Sequence, residues 1–530
     1  MIYSDLTMSS SNRYWPDPFQ PLRSLANRPL FDWSASGRED PDGAAGKGRA
    51  AEDPAPEAKP GEVLVVDLDS ALVRTEILHE RFWAAVSRRW INLLPILRAS
   101  LKGRAELRRV LATLSAVDVS RLPLNQDVVG YVRAWHEKGG RTALVSASDH
   151  ALVQAVADHV GLFHEAHGTD GATNTKSRTK AAFLADRFPD GFAYLGGADV
   201  DQRVWEGAAR AVTVDLSAPR RSGIDRLPVE TEHLQTREGR IRPLIGALRP
   251  HQWLKNVLIF IPMLAGHQFD PVTAGKALLA FIAFSLIASS VYLLNDLLDL
   301  SSDRAHKSKR LRPFANGTLP LSWGAMLVPG LLVAGFGVAF LVGNQFIAVM
   351  AFYCVLTTVY SLDLKRRLIV DICTLAGLYT LRIVAGGVST SVPISMWLLA
   401  FSIFFFFSLA AMKRQAELIS GVSSDAEKAH GRRYVKSDLP VIANMAVASG
   451  YVSILVLALY LNSPDVGELY VDTLPLWGIC PVLFYWISRM AMITHRGWMH
   501  DDPVVFAIKD RSSLICGLLV FAFAAAGAVR

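Results

Sequence analysis

Beyond residue 250 the chain is written in long apolar runs separated by short polar linkers. Runs of about 17–24 residues match the thickness of a bilayer core. In lipid, backbone groups must bond within their own segment, so such runs are read as membrane-spanning helices. Nine candidate spans can be drawn, at about 253–267, 274–295, 322–342, 345–361, 368–388, 394–412, 439–461, 473–491 and 510–529. At 51% hydrophobic residues over 530 positions, the chain is too apolar for one soluble globule. The apolar residues are also unevenly spread, and residues 1–235 read as soluble. The expectation is therefore an N-terminal soluble unit and a C-terminal all-α bundle of nine transmembrane helices.

Charge orients the bundle. The linkers after spans two, four, six and eight carry the cations: Arg304, Lys307, Lys309, Arg310 and Arg312; Lys365, Arg366 and Arg367; Lys413, Arg414, Lys428, Arg432, Arg433 and Lys436; Arg489, Arg496 and Lys509. The opposite linkers, such as "VGN", "STSVP" and "NSPDVGELYVD", hold no Lys or Arg. Positive-inside places the soluble unit and all four basic linkers in the cytoplasm of a bacterial-type inner membrane. The formal net charge of +7 is thereby explained without nucleic acid. Cys354, Cys373, Cys480 and Cys516 all lie in apolar runs without CxxC spacing, as reduced, inert thiols do. The N-terminus is polar and lacks the apolar core of a signal peptide.

Within the soluble part, residues 1–60 are rich in Gly, Ala, Pro and mixed charge, a composition that predicts a disordered tail. Residues 61–225 alternate apolar strands ("EVLVVDLD", "RTALVSAS", "GFAYLGG", "RAVTVDL") with amphipathic helical segments, which predicts an α/β domain with a parallel sheet. Residues 226–245 read as a linker, and 246–530 as the membrane domain.

The end of span two carries the first chemical constellation, "LLNDLLDLSSDRAHKSKRLRPFANG". If the helix continues past residue 295, Asn295, Asp299 and Asp303 stand at i, i+4 and i+8, with Asp296 three residues before Asp299. Carboxylates crowded on one face need a cation, and hard oxygen ligands with room for water and phosphate oxygens suit Mg²⁺. The cations that follow, Arg304, His306, Lys307, Lys309, Arg310 and Arg312, complete a polyphosphate site. A solvated loop that only sets topology would not need this spacing.

"NDLLDLSSD" resembles the N-D-x-x-D-x-x-x-D motif of the UbiA superfamily of intramembrane prenyltransferases. "HKSKRLRPFANG" and the upstream "LRPHQWLKNVLIF" are most similar to one branch, the decaprenyl-phosphate phosphoribosyltransferases. The likeness covers about 245–530. It implies a nine-helix UbiA-type bundle with a cytosolic active site, and Mg²⁺ held by Asn295, Asp296, Asp299 and Asp303. It also implies donor phosphates touched by Lys255 and Asn256. Lys307 departs from the branch, which commonly has Pro there.

The ends of spans four and five repeat the theme with Tyr360, Asp363, Lys365, Arg366, Asp371 and Arg382. Asp371 and Arg382 share a helical face inside an apolar span, either as a buried pair tying helices together or facing a polar cavity. The resemblance makes this the second acidic motif. It is sparser in acids than in aromatic prenyltransferases, which favours a different substrate.

The resemblance implies transfer of a 5-phosphoribosyl group from phosphoribosyl diphosphate to a polyprenyl phosphate in the bilayer. Mg²⁺ and the cations would neutralise the leaving diphosphate. The alternative is a UbiA-type aromatic or lipid prenyltransferase using a polyprenyl diphosphate. A transporter would not confine its acidic and basic clusters to cytoplasmic helix ends. Oligomerisation stays open.

"VVDLDSALVRTE" is an apolar strand ending in Asp67-x-Asp69, and resembles the first motif of the haloacid dehalogenase (HAD) phosphatases. The likeness implies a Rossmann-type sheet with a helical cap between Asp69 and Ser146. It casts Asp67 as nucleophile and Asp69 as acid/base. Ser146 fits the second motif, and Lys180, or less well Lys176, the third. In "LGGADVD", Gly197 replaces the first acid of the fourth motif and Asp201 keeps the second. Asp67, Asp69 and Asp201 would be the Mg²⁺ ligands, with one missing unless Asp199 or Asp201 substitutes. The domain is expected either to dephosphorylate the membrane domain's product or to be degenerate. Removing residues 1–235 is expected to leave transfer largely intact.

Overall fold

The computed structural model describes residues 61–169, 177–237, 239–306, 308–422, 433–464, 466–499 and 502–528. The tail expected over 1–60 lies outside them, as do Lys176, Lys307, Lys428 and Arg432. The described chain divides into two compact units, one over 61–406 and one over 407–422 and 434–528.

The first unit opens with a six-stranded parallel sheet: β1 (Val63–Asp67), β2 (Arg141–Asp149), β3 (Glu165–Thr169), β4 (Phe192–Gly196), β5 (Arg210–Val214) and β6 (Glu230–Leu234), in the order β3-β2-β1-β4-β5-β6. Strand β1 reads VLVVD without a polar alternation because both faces are covered. Leu64 and Val66 pack with Val128, Val132 and Trp135 of helix Gln126–Glu137 and with Val153 and Val156 of helix His150–Val160. Val63 and Val65 face Leu184, Phe188, Val204 and Trp205 on the other side. The chain moves outward from β1 through β2 to β3, then returns to place β4 on the other side of β1. The crevice beyond the carboxyl ends of β1 and β4 is thus the topological switch point, where open α/β sheets hold their ligands.

Strand β6 lies inside residues 226–245, which the sequence reads as a linker. Its sequence ETEHL is half-exposed at the sheet edge, so it pairs with β5 through backbone bonds without an apolar run to announce it. Much of the remaining stretch becomes helix α1 of the membrane approach (Ile241–Leu248). Little free linker is left.

Between β1 and β2 the expected helical cap forms, with helices Ile77–Arg88, Leu93–Lys102 and Arg104–Leu114. The first of these is seated on the membrane helices. Its Trp83 enters one apolar cluster with Ala247, Leu293, Leu297, Leu300, Phe314, Leu319 and Leu321. Ser87 Oγ donates to the Leu298 carbonyl at 2.5 Å.

Five long helices follow in this unit: α2 (Pro271–Leu298), α3 (Leu321–Val342), α4 (Asn344–Leu362), α5 (Val370–Thr390) and the start of α6 (Met396–Val422). Asp270 caps α2 by accepting from the Val272 and Thr273 amides at 3.0 Å each, with Pro271 at the first helical position. A Cβ at Gly335 would lie 2.5 Å from Ile287 Cγ1, so glycine there lets α3 press against α2. The second unit packs α7 (Leu439–Leu461), α8 (Ile479–His495) and α9 (Arg511–Ala528). Within it, Arg489 grips Asp510 through two bonds of 2.6 and 3.0 Å.

Among the described residues, eight helices are long and apolar enough to cross a membrane. The ninth expected span, 253–267, is instead a 3₁₀ helix (Pro250–Phe260) followed by the short helix Ile261–Ala265. Pro262 has no N–H, and its ring would clash with the carbonyl four residues back in a continuous α-helix, so the run changes form there.

Candidate active site

The first acidic motif sits where α2 ends. Asp299 closes the helix with φ −95° and ψ 10°. The helical path nevertheless carries on: the Asp299 amide donates to the Asn295 carbonyl at 2.9 Å, and the Asp303 amide to the Asp299 carbonyl at 2.8 Å. Asp296, Asp299 and Asp303 therefore fall on one side at i, i+3 and i+7. Asp296 and Asp303 are each 2% exposed, whereas the Asp299 side chain is 39% exposed.

Cations from three segments meet these acids. Arg312 Nη1 donates to Asp296 at 3.1 Å and to Asp303 at 2.7 Å, bridging them. Arg249, from the approach before the first span, donates to Asp296 at 2.5 Å. Lys365, from the turn after α4, reaches Asp299 at 3.4 Å and so joins the second motif to the first. Asn295 is half-buried beside them. His306 lies next to Ser308, while Lys309, Arg310 and Arg366 are exposed on the same loops.

The second motif splits in two. Asp371 is fully buried and accepts from Tyr360 at 2.8 Å. Eleven residues along a helix is about 16 Å, so Arg382 is out of its reach and the pair reading fails. Arg382 Nε instead donates to Asn256 Oδ1 at 2.9 Å, and its guanidinium lies 5.1–5.6 Å from the rings of Phe284, Tyr353 and Tyr379. Asn256 in turn donates to Ser285 at 3.0 Å, and Lys255 lies over Tyr379 at 5.6 Å. This buried polar centre unites Lys255, Asn256 and Arg382, which the sequence named separately. Its aromatic walls leave no mark in the sequence, because Tyr and Phe in a membrane span carry no distinctive spacing.

The donor set around α2 has the chemistry Mg²⁺ takes, although among the described residues no three acids stand gathered to hold a metal, with Arg249 and Arg312 bonded to Asp296 and Asp303. Asp296, Asp299 and Asp303 offer hard carboxylate oxygens and Asn295 an amide oxygen, leaving positions for water and phosphate. The guanidinium between Asp296 and Asp303 marks where the two acids call for positive charge.

In the soluble domain the expected residues also converge, at the switch point. Lys180 Nζ donates to Asp67 Oδ1 and to the Tyr194 hydroxyl oxygen, both at 2.6 Å. The Tyr194 hydroxyl donates to Asp201 at 3.0 Å, and the Ala198 amide to the other Asp201 oxygen at 3.2 Å. Asp69 accepts from Ser146 at 3.1 Å and from the Ile77 amide at 2.7 Å. Burial pushes the Asp67 carboxyl up to about 8 against the opposing charge of Lys180, with Asp201 and Asp69 adding to the rise. Tyr194 carries no sequence signal of this role, since a tyrosine in a buried strand reads as core.

This second site does not fit the metal set expected of it. A Cβ at Gly197 would lie 2.4 Å from the Ser70 carbonyl oxygen, so backbone fills the place where the missing acid would project. Lys180 and Tyr194 already hold Asp67 and Asp201. The side chain of Asp199 lies outside the described residues.

Several known proteins are similar to this chain in sequence or fold. An uncharacterised protein of Sinorhizobium fredii is 36% identical over 462 residues, 86% of this chain and 89% of its own. The nodulation protein NoeC of Azorhizobium caulinodans is 36% identical over 51% of this chain and 88% of its own. Decaprenyl-phosphate phosphoribosyltransferase of Mycolicibacterium smegmatis is 40% identical over 33% of this chain and 57% of its own. Among solved structures, a UbiA homolog from Archaeoglobus fulgidus bound to GPP and Mg²⁺ aligns at 14% identity and TM-score 0.42, over 53% of this chain and 99% of its own. A probable phosphoserine phosphatase from Vibrio cholerae aligns over 31% of this chain and 60% of its own at 12% identity and TM-score 0.22. The sequence profile of the UbiA prenyltransferase family matches residues 257–526. With its long apolar helices and paired acidic motifs, the chain is an integral membrane protein that belongs to the UbiA prenyltransferase family.

Proposed function

We propose that the membrane domain transfers a 5-phosphoribosyl group from phosphoribosyl diphosphate to a polyprenyl phosphate on the cytoplasmic face. The observation that carries this reading is the convergence of Arg249, Arg312 and Lys365 on Asp296, Asp299 and Asp303. A donor with a diphosphate and a 5-phosphate, meeting a lipid phosphate, brings more negative charge than an allylic diphosphate meeting an aromatic ring. The site answers that load with cations from three segments, and Lys309, Arg310 and Arg366 lie exposed on the same loops. The relatives named decaprenyl-phosphate phosphoribosyltransferase support the same donor.

In the reaction, the bond from ribose C1 to the diphosphate oxygen breaks and the electron pair leaves with the diphosphate. A lipid phosphate oxygen forms the new bond to C1. That oxygen is already anionic, so no strong base is required. Asp296, Asp299 and Asp303 with Asn295 would hold Mg²⁺, which supplies charge neutralisation at the leaving group. Arg312 and Lys365 bind and orient phosphate oxygens, and Lys255, Asn256 and Arg382 form the deeper polar wall. The HAD-like domain supports the basic loop rather than hydrolysing a phosphate ester, as the filled position at Gly197 and the seat of Trp83 on α2 suggest.

The test is purified protein with radiolabelled phosphoribosyl diphosphate and polyprenyl phosphate, scored for labelled lipid. Product from a polyprenyl diphosphate and an aromatic acid, with none from the ribose donor, would replace this reading with aromatic prenyl transfer.

A further inference from the structure

The cap helix Leu93–Lys102 turns an apolar face outward. Leu93, Leu94, Leu97 and Leu101 stand at i, i+1, i+4 and i+8, within about 100° of one another around the helix. All four are exposed, Leu101 at 85%. Trp90, 69% exposed, and Ile91 extend the patch into the preceding turn. The helix has a separate face for its own domain, through buried Ile96 and Ala99. Ile96 packs with Leu111 and Ala85. The outward residues are thus surplus to folding the cap.

Charge and position say what covers this face. No acidic residue lies between Glu80 and Glu106, while Arg88, Arg89, Arg98, Lys102 and Arg104 are all exposed within that stretch. Trp90 follows Ser87 by three residues, so it lies within about 11 Å of the side chain's anchor region. Ser87 is bonded to the carbonyl of Leu298, where the membrane helix α2 ends. A second segment repeats the pattern. Helix Ile241–Leu248 packs Leu244, Ala247 and Leu248 into the cluster around Leu293 and Leu297, yet exposes Ile241 at 75% and also Ile245. Arg240 and Arg242 stand on either side of Ile241.

We infer that the helix Leu93–Lys102, with its leading turn at Trp90 and Ile91, lies in the cytoplasmic leaflet, its leucines among acyl chains and its cations on anionic headgroups. An amphipathic helix with Trp and Leu on one side and Arg and Lys beside them is the form that binds a bilayer surface. Its occupant is lipid, continuous with the bilayer that surrounds α2. Helix Ile241–Leu248 supplies a second, smaller contact. The soluble domain is then held to the membrane by its own surface as well as by the chain.

The test uses the full chain in nanodiscs of phosphatidylcholine and phosphatidylglycerol. The four native cysteines are replaced by alanine, and an environment-sensitive fluorophore is placed by Leu97→Cys, Leu101→Cys or, as an exposed control, Ser222→Cys. The expected result is blue-shifted emission at 97 and 101, quenching by doxyl-labelled lipid at least about threefold stronger than at 222, and protection from aqueous iodide. Iodide quenching at 97 equal to that at 222 would overturn the inference. So would protection from iodide without quenching by lipid, which would assign the face to a protein contact. A Leu94→Glu/Leu97→Glu variant checks the role without disturbing the buried side: it should keep its circular dichroism but lose the protection of position 101.

Discussion

Replacing Glu80 with alanine asks how the soluble domain acts on the transferase site. Arg304 Nη1 and Nη2 donate to the two Glu80 oxygens at 3.0 and 2.6 Å across a sequence separation of 224 residues. The side chains are 9% and 5% exposed, so the pair is buried. Thr75 adds a bond to Glu80 at 2.7 Å, and Arg304 Nε binds the Ala315 carbonyl at 2.9 Å. Arg304 opens the loop that ends in Arg312, the residue bridging Asp296 and Asp303. Removing one partner of a buried pair costs about 3–5 kcal/mol, because the other charge is left without compensation. At about 2–4 °C per kcal/mol for a domain of this size, the thermal midpoint in detergent should fall by roughly 6–20 °C. Below that midpoint the freed loop should raise the KM for phosphoribosyl diphosphate about tenfold, equivalent to about 1.4 kcal/mol of lost positioning. Scanning fluorimetry and initial rates read both effects. Arg304→Ala in the Glu80→Ala background should cost little more, since the pair is already broken. An unchanged midpoint and KM in Glu80→Ala, or strict additivity in the double variant, would refute the reasoning. The same contacts revise the expectation that residues 1–235 are dispensable. Their loss would uncover Leu293, Leu297 and Phe314 and strand Arg304.

Asp299→Ala should abolish lipid labelling while leaving the thermal midpoint within about 1 °C, since a half-exposed ion pair contributes little stability; full activity in this variant, or in wild type with EDTA, would remove Mg²⁺ from the mechanism. Arg312→Ala should weaken donor binding and also destabilise, because it leaves two buried carboxylates facing each other; a lower midpoint with an unaltered KM would make Arg312 purely structural. Gly197→Asp should lower stability by about 1–3 kcal/mol through overpacking against Ser70 and confer no Mg²⁺-dependent hydrolysis of p-nitrophenyl phosphate; new hydrolysis would show the fourth motif to be repairable.

Much of this site was legible because it is local. "NDLLDLSSD" closes an apolar run, and its spacing alone puts three carboxylates on one side. Asp67 and Ser146 lie on strands of a parallel sheet, Asp69 and Asp201 follow strands, and Lys180 lies in the first turn of the helix Ser177–Arg187 between β3 and β4, so topology brings them to one crevice. The rest depends on long-range partners that leave no local pattern. Glu80 looks like any acid on an amphipathic helix until Arg304 is found against it. Arg249 reads as an interfacial cation until it reaches Asp296. Strand β6 has the composition of a loop, and the 253–267 run has the composition of a span, because hydropathy does not register what Pro262 does to backbone geometry.

The network at the switch point offers a way to separate a working phosphatase from a structural remnant. Asp67, Lys180, Tyr194 and Asp201 form one continuous chain of bonds at the ends of β1 and β4. In a phosphatase Asp67 would be the nucleophile, and Asp67→Asn would stop phosphate release while its amide oxygen still accepted from Lys180. In a remnant the work of Asp67 is to hold the buried Lys180 ammonium, which is only 4% exposed. With its carboxyl pushed up to about 8, Asp67 is fully charged only above that pH, and there Asp67→Asn leaves the ammonium with Asp201, farther off through Tyr194. Measured at about pH 9, the cost should sit at the low end for a broken buried pair, about 3 kcal/mol. That corresponds to a fall in the soluble domain's midpoint of roughly 6–12 °C. The expected outcome is this loss of stability with ribosyl transfer at low temperature and background phosphate release both unchanged. Loss of a measurable phosphate release at an unaltered midpoint would instead make Asp67 a nucleophile and the domain an enzyme acting on the lipid product.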